Sequence, residues 1–143
     1  MPTRKATATW QGGLREGKGS FSGESGAISA SYSFGSRFES AGGSNPEELL
    51  AAAEAACYSM ALSLGLENAG MKAEQVETHA ACTIEQRDGG FAITTMKLKV
   101  NVRAPGADQG KVRDIAEQTK EGCPVSKALL GNVKLELDVT VEG

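Results

Sequence analysis

The chain has 143 residues, 15 basic against 18 acidic, and a formal net charge of −3. That length suits one domain, spanning residues 1–143, with a core that needs no disulfide staples or structural metal. The balanced charge offers no basic surface for nucleic acid or an anionic membrane. Residues 1–13 lack the apolar run of a signal peptide, so secretion is not indicated. Three cysteines in such a chain point to reduced thiols and a cytoplasmic location, and an odd count defeats a simple disulfide framework.

Residues 5–40 are rich in Gly and Ser, with alternating pieces such as Ala6–Trp10 and Ile28–Tyr32 between Gly12-Gly13, Gly17, Gly19, Gly23 and Gly26. This predicts a meander of short antiparallel strands, and the spaced Trp10, Phe21, Ile28, Tyr32 and Phe34 argue against a flexible linker. Arg37-Phe38-Glu39 precedes a loop at 40–44. The chain is organised around the stretch Asn45–Gly70. Asn45 suits a cap, Pro46 suits the first helical position, and Glu47 with Glu48 suits the positive end of the dipole. Ala, Leu, Met and Glu then fill a helix of about 24 residues, roughly 36 Å long. An alanine-rich helix of this kind is apolar nearly all round, which predicts burial on several sides. The run Leu49–Leu66 is long enough to span a membrane, but Glu54, Ser59, Ser63 and Gly65 interrupt it, and a buried core helix is the expectation.

Beyond Gly70, Val76, Ala80, Cys82 and Ile84 share one face of a strand and His79 takes the other. Asp88-Gly89-Gly90 predicts a hairpin, followed by a strand over 91–103 with Ala92, Met96, Leu98, Val100 and Val102 on its apolar face. Val112, Ile115, Ala116 and Thr119 sit at helical spacing within Lys111–Lys120, and Pro124 opens a short helix through Leu130. Val133, Leu135, Leu137, Val139 and Val141 alternate in the last strand. This order of elements predicts an α+β fold, antiparallel sheets packed on a long central helix.

Among the thiols, Cys57 sits mid-helix and on composition alone reads first as a small buried hydrophobe. Cys82, on an apolar strand face, is expected to have no role. Cys123, just before Pro124, is placed where helical N–H groups stabilise a thiolate, which makes it the more acidic thiol on this reading. His79 is expected to be a solvated strand residue, since no Cys-x-x-Cys pair or zinc-type spacing accompanies it. Arg37 precedes the loop to the long helix and can fold back on it. A guanidinium beside a thiol lowers its pKa, and a carboxylate can hold the guanidinium by two parallel hydrogen bonds. The plainer alternatives are a solvated Arg37 and dipole-partner roles for Glu47 and Glu48.

Arg37-Phe38-Glu39, Asn45–Leu50, Ala55–Leu62 and Gly122-Cys123-Pro124-Val125-Ser126 together closely resemble the OsmC/Ohr family of cysteine-based hydroperoxide reductases. Gly17-Lys18-Gly19 and Glu24-Ser25-Gly26 are more similar to its OsmC branch. The resemblance implies an intertwined homodimer with two interfacial sites, and reduction of organic hydroperoxides, with hydrogen peroxide a poorer substrate. It implies Cys57 as the attacking thiol, Cys123 as its resolving partner in a Cys57–Cys123 disulfide, and Arg37 with Glu47 as the activating pair. A dithiol reductant, for instance of the lipoyl type, completes the cycle, with no metal or cofactor. Leu50, Met60 and Leu64 are candidates for an apolar wall. Glu54, one turn before Cys57, would raise the thiol's pKa if it faced the same pocket and is expected to face away.

Glu47 and Cys57 lie about 15 Å apart along a regular helix, too far for one guanidinium to touch both. Two helices crossing antiparallel near Ala51, Ala52 and Ala53 would bring Glu47 of one chain to Cys57 of the other. Two other functions compete with the peroxidase. One is a non-catalytic dimer binding a small apolar ligand, its cysteines inert. The other is a cysteine hydrolase, which needs His79 beside Cys57.

Overall fold

A computed structural model describes residues 1–143 as an α+β protein with two three-stranded sheets and a long helix. The chain divides into two compact units, Met1–Leu49 and Leu50–Gly143.

The first unit holds β1 (Ala6–Gln11), β2 (Lys18–Gly23) and β3 (Ser29–Tyr32) in an antiparallel meander, followed by a short helix α1 (Phe34–Phe38). The Gly-Lys-Gly run has a packing reason. A Cβ at Gly19 would lie 2.5 Å from the Tyr32 ring and 2.7 Å from that of Trp10, so only glycine lets these two rings meet, with centroids 5.4 Å apart. The stretch around Arg37 is helical. Ser33 and Ser36 close a capping box at its start, and Ser36 Oγ also donates to the Ser44 carbonyl at 2.7 Å.

Helix α2 (Pro46–Asn68) begins in the first unit and continues into the second. Asn45 caps it as expected, its Oδ1 accepting from Glu48 N at 2.8 Å, while its amide donates to the Ser36 carbonyl at 2.9 Å. Glu54, Tyr58, Leu62 and Leu66 recur every four residues and are fully buried. The opposite side, with Ala52, Ala53, Ala56, Met60 and Leu64, is exposed. The expected burial on several sides is thus met on one side in the isolated chain. The helix is long and apolar enough to cross a membrane, but its buried stripe packs into a protein core.

The second unit carries β4 (Gln75–Arg87), β5 (Gly90–Arg103) and β6 (Lys134–Glu142), in that order in the sheet, with α3 (Gln109–Gly122) and α4 (Pro124–Leu129) between β5 and β6. The β4–β5 hairpin turns at Asp88 and Gly89, both at positive φ. β6 pairs parallel to β5, a departure from the all-antiparallel expectation that the two-helix crossover makes possible. A bulge between Thr83 and Ile84 shifts the register, so Ile93 rather than Ala92 faces inward. Met96, Leu98, Val100 and Val102 of β5 form the core with Tyr58, Leu62, Leu66, Val112 and Ala116. Hydrogen bonds to α3 and β4 help fix α2 in this unit. The Tyr58 hydroxyl donates to the Ala116 carbonyl at 2.9 Å, and Ser59 Oγ lies 2.7 Å from Thr78 Oγ1.

Candidate active site

In the second unit, the junction of α3 and α4 delivers Cys123 to the buried side of α2. Cys123 ends one helix and starts the next. Its N–H donates to the Thr119 carbonyl at 3.0 Å and its own carbonyl accepts from Lys127 N at 2.9 Å, so its backbone is pinned from both sides. Its side chain is 1% exposed. The Sγ atom lies 3.1 Å from Cys57 Sγ, bringing together two residues 66 apart in sequence as unbridged thiols. A disulfide at about 2.05 Å requires only a short further approach of the sulfurs.

Glu54 belongs to this cluster, contrary to the expectation that it faces away. Residues 54 and 57 are three apart on a helix and therefore neighbours on its surface. The Glu54 carboxyl is completely buried, accepting from Ser126 Oγ at 2.5 Å through Oε1 and from Cys123 Sγ at 3.9 Å through Oε2. Ser126 Oγ also lies 3.4 Å from Cys123 Sγ. Sequence reasoning missed Ser126, although its spacing of three from Cys123 across the first turn of α4 was a usable signal.

Burial pushes the Cys57 thiol above its ordinary pKa, and the Cys123 thiol and the Glu54 charge push the same way, while a hydrogen bond from the Val125 backbone opposes them. The start of α4, expected to act on Cys123, also reaches Cys57. Cys123 makes no side-chain cap hydrogen bond, and it is Cys57 that meets a backbone N–H of α4. Burial, followed by the Glu117, Cys123 and Glu54 charges, raises the Tyr58 hydroxyl as well, leaving it a neutral donor. Within its unit Cys57 has no cationic neighbour among the groups that shift it.

In the first unit, Arg37 and Glu47 form a two-pronged ion pair. Nε donates to Oε1 and Nη2 to Oε2, each at 3.0 Å, with Glu47 only 6% exposed. The structure separates the two acids of the helix start, since Glu48 instead accepts from Ser44 Oγ at 2.6 Å. The Arg37 guanidinium lies 5.4 Å from the Phe38 ring centre and helps line a cleft of about 250 Å³ with Trp10, Leu14, Tyr32, Ser33, Phe34 and Phe38.

His79 is exposed on β4 and pairs with Glu77 at 3.0 Å, so the hydrolase reading lacks its base. Cys82 is half-buried on the inner face of β4. Of the three apolar wall candidates, Leu50 packs at the edge of the core and Met60 is exposed. Leu64 lines a cleft of about 560 Å³ that also reaches Ile115 and Cys123. No group of three or more His, Cys, Asp and Glu side chains is placed to hold a metal ion.

These features can be set beside known proteins. The family model described as OsmC-like protein matches residues 39–138. The protein named peroxiredoxin OsmC from Escherichia coli (strain K12) is 44% identical over 134 residues, covering 93% of this chain and 94% of that protein. The organic hydroperoxide resistance protein OhrB of Bacillus subtilis (strain 168) is 34% identical over 98 residues, 68% of this chain and 70% of its own. A crystal structure of an organic hydroperoxide resistance protein from Elizabethkingia anophelis has a TM-score of 0.76 at 27% identity, covering 99% of this chain and 98% of that one. The matched segment takes in Glu47, Cys57 and Cys123, and similarity to a relative at 44% identity extends over nearly the whole length, so the chain belongs to the OsmC-like family.

Proposed function

We propose that this protein is a cytoplasmic thiol peroxidase that reduces organic hydroperoxides. Cys57 attacks, Cys123 resolves, and Arg37 held by Glu47 supplies the cation at the reacting thiolate. The observation that carries this reading is the 3.1 Å approach of the two sulfurs. The names of the relatives, a peroxiredoxin and a hydroperoxide resistance protein, support a role in peroxide detoxification. An apolar-ligand protein with inert cysteines gives no reason for two thiols to meet in a cluster with a buried carboxyl.

In the first step the Cys57 thiolate attacks the terminal peroxide oxygen. The O–O bond breaks, the alcohol leaves with a proton, and Cys57 is left as a sulfenic acid. Cys123 sulfur then attacks Cys57 sulfur, the S–O bond breaks, water departs and a disulfide remains. An external dithiol reopens it by thiol–disulfide exchange. The fork between Arg37 and Glu47 fixes the guanidinium in orientation, as a group that must stabilise both a thiolate and a developing alkoxide requires. The aromatic and aliphatic cleft beside Arg37 suits the organic part of the peroxide.

Treatment of the reduced protein with one equivalent of cumene hydroperoxide, followed by mass mapping, is expected to give a single intramolecular disulfide joining residues 57 and 123. Recovery of both thiols unchanged would overturn the reading. The raised pKa of Cys57 supplies a second test. Within the second unit its neighbours favour the protonated thiol, so the thiolate at neutral pH depends on the guanidinium. The alkylation rate of Cys57 against pH is expected to inflect below the ordinary thiol range in the wild type and above it in Arg37→Ala. Coincident profiles would remove the role given to Arg37.

A homodimer follows from the same reading. The exposed apolar stripe of α2 runs through Ala52, Ala56, Met60 and Leu64 at four-residue spacing, a face suited to a second copy of the helix.

A further inference from the structure

Glu54 is the one buried acid in the thiol cluster, and the two-thiol mechanism leaves it without a task. A carboxylate there works against the first chemical step, because its charge disfavours the Cys57 thiolate. It nevertheless sits at 0% exposure with both oxygens engaged, one by Ser126 Oγ and the other by Cys123 Sγ, the latter at 3.9 Å. Ser126, also at 0% exposure, holds Oε1 and so directs Oε2 toward the sulfur of Cys123. The arrangement therefore serves the second thiol.

We propose that Glu54, oriented by Ser126, is the base that removes the proton from Cys123 as the intramolecular disulfide closes, a role that rests on the thiol-peroxidase reading above. Cys123 begins as a neutral thiol donating to Oε2. As its sulfur forms the bond to the Cys57 sulfenic sulfur, its proton passes to the Glu54 carboxylate. The S–O bond of the sulfenic acid breaks, and the departing hydroxide takes up a proton from solvent, leaving as water, a proton that Glu54 later restores by releasing the one taken from Cys123. Glu54 returns its proton to the site or solvent before the next cycle. Oxidation of the two sulfurs is balanced by reduction of the organic hydroperoxide in the preceding step. Proton transfer to a positioned carboxylate in a water-poor site accelerates such a step by about 10²–10⁴-fold. The other titratable groups that face Glu54 are Cys57 and Tyr58 on its own helix and Cys123 at the α3–α4 junction, with Glu117 of α3 on the far side of Tyr58. None is a cation, so none competes for its negative charge.

The test separates the two half-reactions. Reduced protein is mixed with one equivalent of cumene hydroperoxide, quenched at intervals, and analysed by mass for the dimedone adduct of the Cys57 sulfenic acid and for the disulfide. In Glu54→Gln the sulfenic acid is expected to form at least as fast as in the wild type and then to accumulate. Disulfide closure slows by roughly 10²-fold near neutral pH, and the gap narrows toward about pH 9 as solvent hydroxide replaces the lost base. Ser126→Ala, which keeps the carboxylate but releases its orientation, slows the same step several-fold and carries the test if the glutamine variant does not fold. Closure at the wild-type rate in both variants, or a slowing independent of pH, would overturn the role. A wild type that yields neither sulfenic acid nor disulfide would instead sink the peroxidase reading and this one with it. Normal oxidation of Cys57 with unaltered closure in Glu54→Gln would sink this one alone.

Discussion

Serine in place of Cys57 is expected to lower turnover of an organic hydroperoxide, with a dithiol as reductant, by at least about three orders of magnitude, the scale on which loss of a nucleophile acts. A hydroxyl at this position stays protonated at neutral pH, and its oxygen cannot pass through a sulfenic acid. Cys123→Ser is expected to behave differently. Its Cys57 still reacts with a first equivalent of peroxide, so a rapid burst remains, but no neighbouring sulfur lies 3.1 Å away to take up the oxidised atom. The product of that burst is a trapped sulfenic acid that over-oxidises as more peroxide is added. The pair of variants assigns the order of events. A burst in Cys57→Ser and none in Cys123→Ser would reverse the two roles, and full turnover in Cys57→Ser would favour inert thiols in an apolar-ligand protein.

The parts of the molecule that sequence could reveal are those whose signal is local. Asn45-Pro46-Glu47-Glu48 marks a helix start through capping and charge, and Asp88-Gly89 marks a hairpin through positive φ, so both lie where they were expected. Alternation in Val133–Val141 reveals a strand but not its direction, because the period of two is the same in parallel and antiparallel pairs. The parallel pairing of β6 with β5 depends on where α3 and α4 carry the chain. The bulge at Thr83/Ile84 is equally silent, and it moved Ala92 off the inner face. Glu54 is the instructive miss. Chemical reasoning about Cys57 alone turned this acid away, although the four-residue series Glu54, Tyr58, Leu62, Leu66 already placed it on the apolar stripe. Its burial requires partners, and those come from Cys123 and Ser126, some seventy residues away, which no local pattern announces.

Mixing two inactive variants is expected to restore activity if the proposed site is shared between chains, and this is the sharpest consequence of that proposal. Arg37 is committed to Glu47 of its own chain. Glu47 and Cys57 lie on one continuous helix, separated by about 15 Å along its axis. In the proposed dimer, a guanidinium held at Glu47 would reach the thiolate of the partner subunit's Cys57, and the exposed stripe at Ala52, Ala56, Met60 and Leu64 would be covered by the partner's copy of the same helix. On this geometry Arg37→Ala alone loses turnover by about 10²-fold, the effect of removing one preorganised charge from a developing anion. Cys57→Ser alone loses more. After the two proteins are unfolded together and refolded, half the dimers are mixed, and each mixed dimer has one site with both Cys57 and Arg37 intact, so roughly a quarter of wild-type turnover returns. A site built within one chain predicts no recovery, because no chain in the mixture carries both residues. Met60→Glu provides the check on assembly itself. A charge on the shared face should leave the Arg37–Glu47 pair and the two thiols in place within each chain while driving the protein to a monomer by sedimentation, and turnover should fall with the dimer. Retention of full activity by a monomeric Met60→Glu protein would return Arg37 to its own chain's thiol.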